Sequence, residues 1–181
     1  MNKINVYLRY IIPVLIVGCI LYFCFCFCPC CFIKSPVTTV ILVRHADRSG
    51  TLDALSSAGV TRAQELARIL DETNISVIYA STANRTQQTA APLATQLGIG
   101  ITIYNTGNLQ ALADEIKSAH KGKVILVVGH NNTVPQTINL LGVTPTLTNI
   151  PEDDYDNLYI VNLYCRSFPK LLKMEYGAET P

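Results

Sequence analysis

The sequence predicts a three-layer α/β/α sandwich around a mostly parallel mixed sheet, preceded by one N-terminal transmembrane or signal segment. Three observations carry that prediction. Residues 10–33 hold no charged side chain. Beyond Lys34, short β-branched apolar runs alternate with amphipathic stretches of helical period, which is the pattern of helices packed on a parallel sheet. The last two apolar runs follow each other with no helix between them, as an antiparallel edge requires.

The N-terminal segment comes first. Its 24 uncharged residues, at about 1.5 Å rise each, are long enough to cross a hydrocarbon core of roughly 30 Å. Pro13, Gly18 and Pro29 disfavour a soluble helix there but are tolerated in a membrane. Lys3 and Arg9 precede the run and Lys34 follows it, so the positive-inside rule places the N-terminus in the cytoplasm and the domain outside. The expectation is a single-pass membrane anchor over 1–33 with an extracytoplasmic domain. The alternative is a cleaved lipoprotein signal, because Ile16-Val17-Gly18-Cys19 has the form of a lipobox. Against cleavage, the chain stays apolar after Cys19. Six of seven cysteines lie in this segment and read as small apolar residues of a span. Cys165 is alone in the remainder, which excludes a disulfide framework within the domain.

The domain spans 34–181. It carries 12 of the 14 basic and all 13 acidic residues, a net charge of −1, which offers no basic surface for nucleic acid. Val37–Val43 is a buried strand. Ser56 or Ser57 caps a helix to about Glu72, with Val60, Leu66, Ala67, Ile69 and Leu70 on its apolar stripe and Arg62, Glu65 and Arg68 elsewhere. Ser76–Ala80 is a strand, and a helix follows from Asn84 to Leu97, ended by Gly98 and containing Pro92. Ile99–Tyr104 is a strand and Leu109–His120 a helix. Val124–Val128 is a continuous apolar strand, followed by a helix over Val134–Leu141. Leu158–Tyr164 and Leu171–Tyr176 close the sheet.

Two strands end alike. Val40-Ile-Leu-Val-Arg44-His45 and Val124-Ile-Leu-Val-Val-Gly129-His130 each deliver a histidine just past a buried strand. Ligands of open α/β sheets bind outside the carboxyl ends of the strands. Arg44 and Arg48 flank the first histidine, and Arg85 opens the helix after the second strand. Either histidine alone is more readily a satisfied polar residue at a strand end. Three arginines and two histidines on one crevice call for an anion, and a phosphoryl group gripped by guanidinium forks meets that need.

At Arg44-His45-Ala46-Asp47-Arg48, Arg85-Thr-Gln-Gln-Thr-Ala90 and Gly129-His130-Asn131, the chain resembles the histidine phosphatase superfamily, which includes the cofactor-dependent phosphoglycerate mutases and acid phosphatases. Leu55–Gln64 is similar to that family's first helix, and the resemblance extends over most of 38–165. It implies a phosphoglycerate mutase-like fold and a compact phosphatase. By that resemblance His45 is the nucleophile that becomes a phosphohistidine. Arg44 and Arg85 hold the phosphoryl oxygens, His130 stabilises the transferring group, and Arg48 and Asn131 bind substrate. No metal or cofactor is implied; the partner is a small phosphorylated substrate or a phosphoprotein.

The chain departs from the pattern in two ways. Ala46 replaces the usual glycine after the nucleophile. The proton donor is missing from both of its places, where Asn105–Asn108 and Asn131 stand. Asp47, Asp114, Glu115, Asp153 and Asp154 are the candidates, with Asp47 nearest the nucleophile. His120 reads as an exposed helix end, and Tyr155, Tyr159, Tyr164 and Tyr176 as edge packing. The leading function is hydrolysis of a phosphomonoester or phosphoramidate. A tethered, inactive phospholigand-binding module is the alternative, and a mutase ranks last.

Overall fold

A computed structural model describes residues 36–180 together with Val17 and Cys19. The chain divides into two units, Met1–Ser35 and Pro36–Pro181. In the first, Val17 and Cys19 are helical and exposed; the remainder of the expected anchor lies outside the described residues. Among the described residues no helix is long and apolar enough to cross a membrane.

The second unit follows the predicted alternation. Its strands are β1 (Thr38–Arg44), β2 (Ile75–Ala80), β3 (Ile101–Ile103), β4 (Val124–Gly129), β5 (Asn157–Tyr164) and β6 (Ser167–Glu175). Its helices are α1 (Ser57–Leu70), α2 (Asn84–Leu97), α3 (Leu109–Ala119) and α4 (Thr133–Leu140). The sheet order is β3-β2-β4-β1-β5-β6. The first four strands are mutually parallel, and β5 and β6 run antiparallel at one side.

Two cores, one on each face, explain the alternating apolar runs. Side chains of a strand point to opposite faces in turn. Val40 and Leu42 of β1 join Ile125 and Val127 of β4 in a cluster with Leu112, Ile116, Val134 and Ile138 of α3 and α4. Ile41 and Val43 join Leu126 and Val128 in the other, with Leu66, Leu70, Leu93 and Ala94 of α1 and α2. A strand buried on both faces has no polar position, so β1 and β4 read as unbroken apolar runs. Each buried aliphatic side chain contributes about 1.5–3 kcal/mol.

Departures from expectation fall at the edges. β3 is shorter than Ile99–Tyr104 because it pairs only with β2, from Ile78↔Ile101 to Ala80↔Ile103. β6 starts four residues before Leu171 and takes in Pro169, a residue that edge strands accept because no inner neighbour needs its N–H. Pro92 sits within α2 without ending it. Val60, expected on the buried stripe of α1, is exposed, whereas Arg62, expected on the polar face, is buried. Arg62 is inside because it has partners there. Its Nε donates to Asp47 Oδ2 at 2.7 Å and its Nη1 to the Tyr176 carbonyl at 2.8 Å. His120, expected to be exposed, packs on the Tyr79 ring and shares the Tyr79 hydroxyl with Glu115.

Candidate active site

Register places the two histidines side by side. β1 and β4 are adjacent and parallel with Arg44 opposite Gly129, so both chains leave the sheet at the same level. The His45 N–H continues the ladder to the Gly129 carbonyl at 2.9 Å. The rings meet edge-on, with centroids 5.5 Å apart and planes at 67°. Gly129 has a steric reason to be glycine. A Cβ there would lie 2.8 Å from Thr133 Oγ1 and 2.9 Å from the Tyr104 hydroxyl. Thr133 Oγ1 in turn accepts the His130 N–H at 2.8 Å, so the same close packing fixes the backbone of the second histidine.

His45 is 4% exposed. Its Nδ1 lies 2.9 Å from the Ala46 carbonyl. A carbonyl only accepts, so Nδ1 carries the proton and Nε2 keeps its lone pair. Burial lowers the imidazole pKa to about 3; the Ala46 bond opposes that shift, and the positive charges of Arg44 and Arg85 reinforce it. The ring is therefore neutral at physiological pH, with one nitrogen free to attack. The Ala46 N–H is fixed by Thr89 Oγ1 at 2.9 Å, which ties the loop after β1 to α2.

His130 is neutral too, its pKa lowered to about 4, chiefly by burial and then by Arg85. Arg85 Nη2 donates to His130 Nδ1 at 3.2 Å, which leaves Nε2–H to donate to Ser81 Oγ at 2.9 Å. Ser81 Oγ also meets Thr86 Oγ1 at 2.8 Å. The ring is thus oriented from β2 and from α2.

Arg44 is 2% exposed. Its Nη1 donates to the carbonyls of Pro151 and Asp154 at 2.8 and 2.9 Å, and its guanidinium carbon stands 4.0 Å over the Tyr155 ring. Burial lowers its pKa, but a guanidinium stays charged. Arg85 Nη1 pairs with Asp53 Oδ1 at 2.8 Å. The Nε–H groups of both arginines are buried and have no hydrogen-bond partner. A buried donor left unpaired is costly, and an incoming oxyanion is the group that would satisfy it.

The remaining predicted residues are placed as follows. Arg48 is exposed, bridges Leu55 through the backbone, and opposes the charge of Arg44. Asn131 Nδ2 donates to Glu152 Oε1 at 2.8 Å. Asp47, the weak proton-donor candidate, has its Oδ2 on buried Arg62; its carboxylate is held by a structural partner on α1. Asp154 receives the Asn157 amide, and Asp114 and Glu115 belong to α3.

Three participants escaped the sequence reading. Asp53 accepts the first N–H groups of α2, from Asn84 at 2.8 Å and Arg85 at 3.3 Å, besides gripping Arg85. No local signal marks it, because the acceptor lies 31 residues from the helix it serves. Tyr155, read as edge packing, lies against Arg44 and within 5.9 Å of the His45 ring. Glu152 stands 3.5 Å from Arg44 Nη2. Among the described residues no group of three or more His, Cys, Asp or Glu side chains is placed to hold a metal ion.

A family profile described as histidine phosphatase superfamily (branch 1) matches residues 40–110, the stretch that holds Arg44, His45, Arg48 and Arg85. That stretch of the chain resembles the histidine phosphatase superfamily. The profile match ends before His130, which strand register brings beside His45. Solved structures share the fold at low identity. The alpha-ribazole phosphatase from Shigella flexneri is similar at 14% identity and TM-score 0.59, over 78% of this chain and 99% of that one. The protein histidine phosphatase SixA, complexed with tungstate, is similar at 17% identity and TM-score 0.58, over 76% and 96%. Phosphoserine phosphatase from Entamoeba histolytica, in complex with 3-phosphoglyceric acid, gives 18% and 0.55, over 78% and 98%. No curated protein matches the sequence.

Proposed function

We propose that this domain hydrolyses a phosphomonoester or phosphoramidate through a phosphohistidine on His45. The profile match over residues 40–110 supports a phosphatase by class. The observation that carries the mechanism is a buried, neutral His45 whose Nδ1–H is engaged by the Ala46 carbonyl, so that Nε2 is the nucleophile. Nε2 attacks phosphorus, the bond from phosphorus to the leaving atom breaks, and the leaving group departs with a proton. Water then attacks the phosphohistidine, the P–N bond breaks, and phosphate leaves as Nε2 recovers its lone pair. Arg44 and Arg85 bind the phosphoryl oxygens through donors that include their unpartnered Nε–H groups. The Arg85–His130 hydrogen bond exchanges for contacts to the transferring group. Two fixed guanidinium charges supply the stabilisation that a metal ion gives elsewhere, so the reaction is read as metal-independent.

A specific observation keeps a phosphoramidate in view. Asn131 stands where one branch of the family carries its acid, and a phosphoramidate or aryl leaving group needs a donor least. The solved structures of similar fold include a protein histidine phosphatase. The same asparagine favours the alternative of a phospholigand-binding module without turnover. The uncharged segment 10–33, flanked by Lys3, Arg9 and Lys34, supports a membrane tether with the domain outside the cytoplasm.

The test is hydrolysis of an aryl phosphate by the full chain, without added metal, beside His45→Ala and His130→Ala. Activity lost in His45→Ala, with acid-labile phosphate trapped on the wild type, is the expected result. Binding of phosphate without any covalent label would favour the binding module.

A further inference from the structure

The loop between α4 and β5 supplies what the motif positions lack. An in-line displacement needs a proton donor on the far side of phosphorus from the nucleophile. His45 is buried, so that donor belongs on the solvent side of it. Glu152 is 75% exposed there, yet its carboxylate is held at both oxygens. Oε1 accepts from Asn131 Nδ2 at 2.8 Å, and Oε2 lies 3.5 Å from Arg44 Nη2. Asn131 follows His130 directly, so Glu152 brings a carboxylate to the position that Asn131 itself leaves without one. The backbone on either side is pinned to the site. Ile150 N–H donates to the Asn131 carbonyl at 2.9 Å, and Arg44 Nη1 binds the carbonyls of Pro151 and Asp154. Of the other carboxylates nearby, Asp47 is engaged by Arg62, Asp154 by Asn157, and Asp53 by three N–H groups of α2, whereas Asp153 has no bond among the described residues that ties it to the site.

We propose that Glu152 is the general acid of the reaction. The proposal rests on the phosphohistidine reading above. As the Nε2–P bond forms and the P–O bond breaks, the Glu152 carboxyl passes its proton to the ester oxygen and the alcohol leaves neutral. The resulting carboxylate takes a proton from the water that then attacks phosphorus. Phosphate departs, Nε2 regains its lone pair, and Glu152 is again protonated.

The full chain in detergent is assayed with an aryl phosphate bearing an acidic leaving group and with an alkyl phosphate, as wild type, Glu152→Gln and Glu152→Asp. Loss of a general acid costs about 100-fold or more when the leaving group is poor. In Glu152→Gln, kcat for the alkyl phosphate should fall by that factor. For the aryl phosphate it should change by less than about threefold, and Glu152→Asp should recover part of the loss. Equal kcat on the alkyl phosphate overturns the proposal. So does a lower KM with unchanged kcat, which would make Glu152 a carboxylate that merely occupies the anion site. These outcomes leave the phosphohistidine reading standing. That reading falls separately if His45→Ala retains the aryl activity, or if the wild type shows none, and the proposal falls with it.

Discussion

Lowering the pH from 7.5 to 5.5 should cost the domain about 2.7 kcal/mol through His45 and His130 together. An unfolded histidine titrates near 6.5, whereas burial holds the folded rings at about 3 and about 4. Between those values the unfolded chain binds protons that the folded protein refuses, so stability falls as pH falls. At pH 5.5 the unfolded rings are about nine-tenths protonated and the folded ones stay neutral, a difference of about 1.4 kcal/mol for each histidine. At pH 7.5 the same difference is under about 0.1 kcal/mol. The figure requires only that both folded values lie well below 5.5. The assay is equilibrium urea unfolding of residues 36–181 at the two pH values, for wild type, His45→Gln and the double variant with His130→Gln. The first substitution should remove about half of the pH-dependent loss and the double variant nearly all of it. An unchanged loss in His45→Gln would refute the account, because the ring would then titrate alike in both states. His45 should also show no imidazole shift by NMR across this range.

Three further outcomes follow from the contacts. Arg62→Ala leaves Asp47 without its partner and the Tyr176 carbonyl without its donor; stability should fall by about 3 kcal/mol, read from denaturant midpoints, with Arg62→Met plus Asp47→Asn recovering part of it. Gly129→Ala pushes a methyl group into Thr133 and Tyr104; it should destabilise by about 1–3 kcal/mol and, by displacing the His130 backbone, lower kcat more than it raises KM. Asp53→Ala removes the acceptor from the start of α2 and the partner of Arg85; a loss of about 1 kcal/mol should accompany a fall in kcat/KM that Asp53→Asn partly restores.

Legibility tracked how local each feature is. The edge strands strayed because pairing with one neighbour imposes little pattern on a sequence: β3 shortened and β6 took in Pro169. Arg62 was misassigned because a helical stripe records polarity, and a buried guanidinium is polar yet satisfied by Asp47 and Tyr176 from distant segments. Tyr155 and Glu152 had no periodicity to mark them, lying in a loop whose course is set by Arg44 and Asn131, both more than 20 residues away.

The sequence by itself determined the alternation of strands and helices, the two buried strands that end in histidine, and the arginines beside them. Hydrophobic periodicity and residue order are local properties, so they survive without coordinates. Only the tertiary structure decided that β1 and β4 are neighbours in register, that Nδ1 of His45 faces a carbonyl, and that a loop more than 100 residues downstream closes on Arg44. Those facts depend on which segments pack together, and packing is fixed by the burial of two whole sheet faces rather than by any single motif.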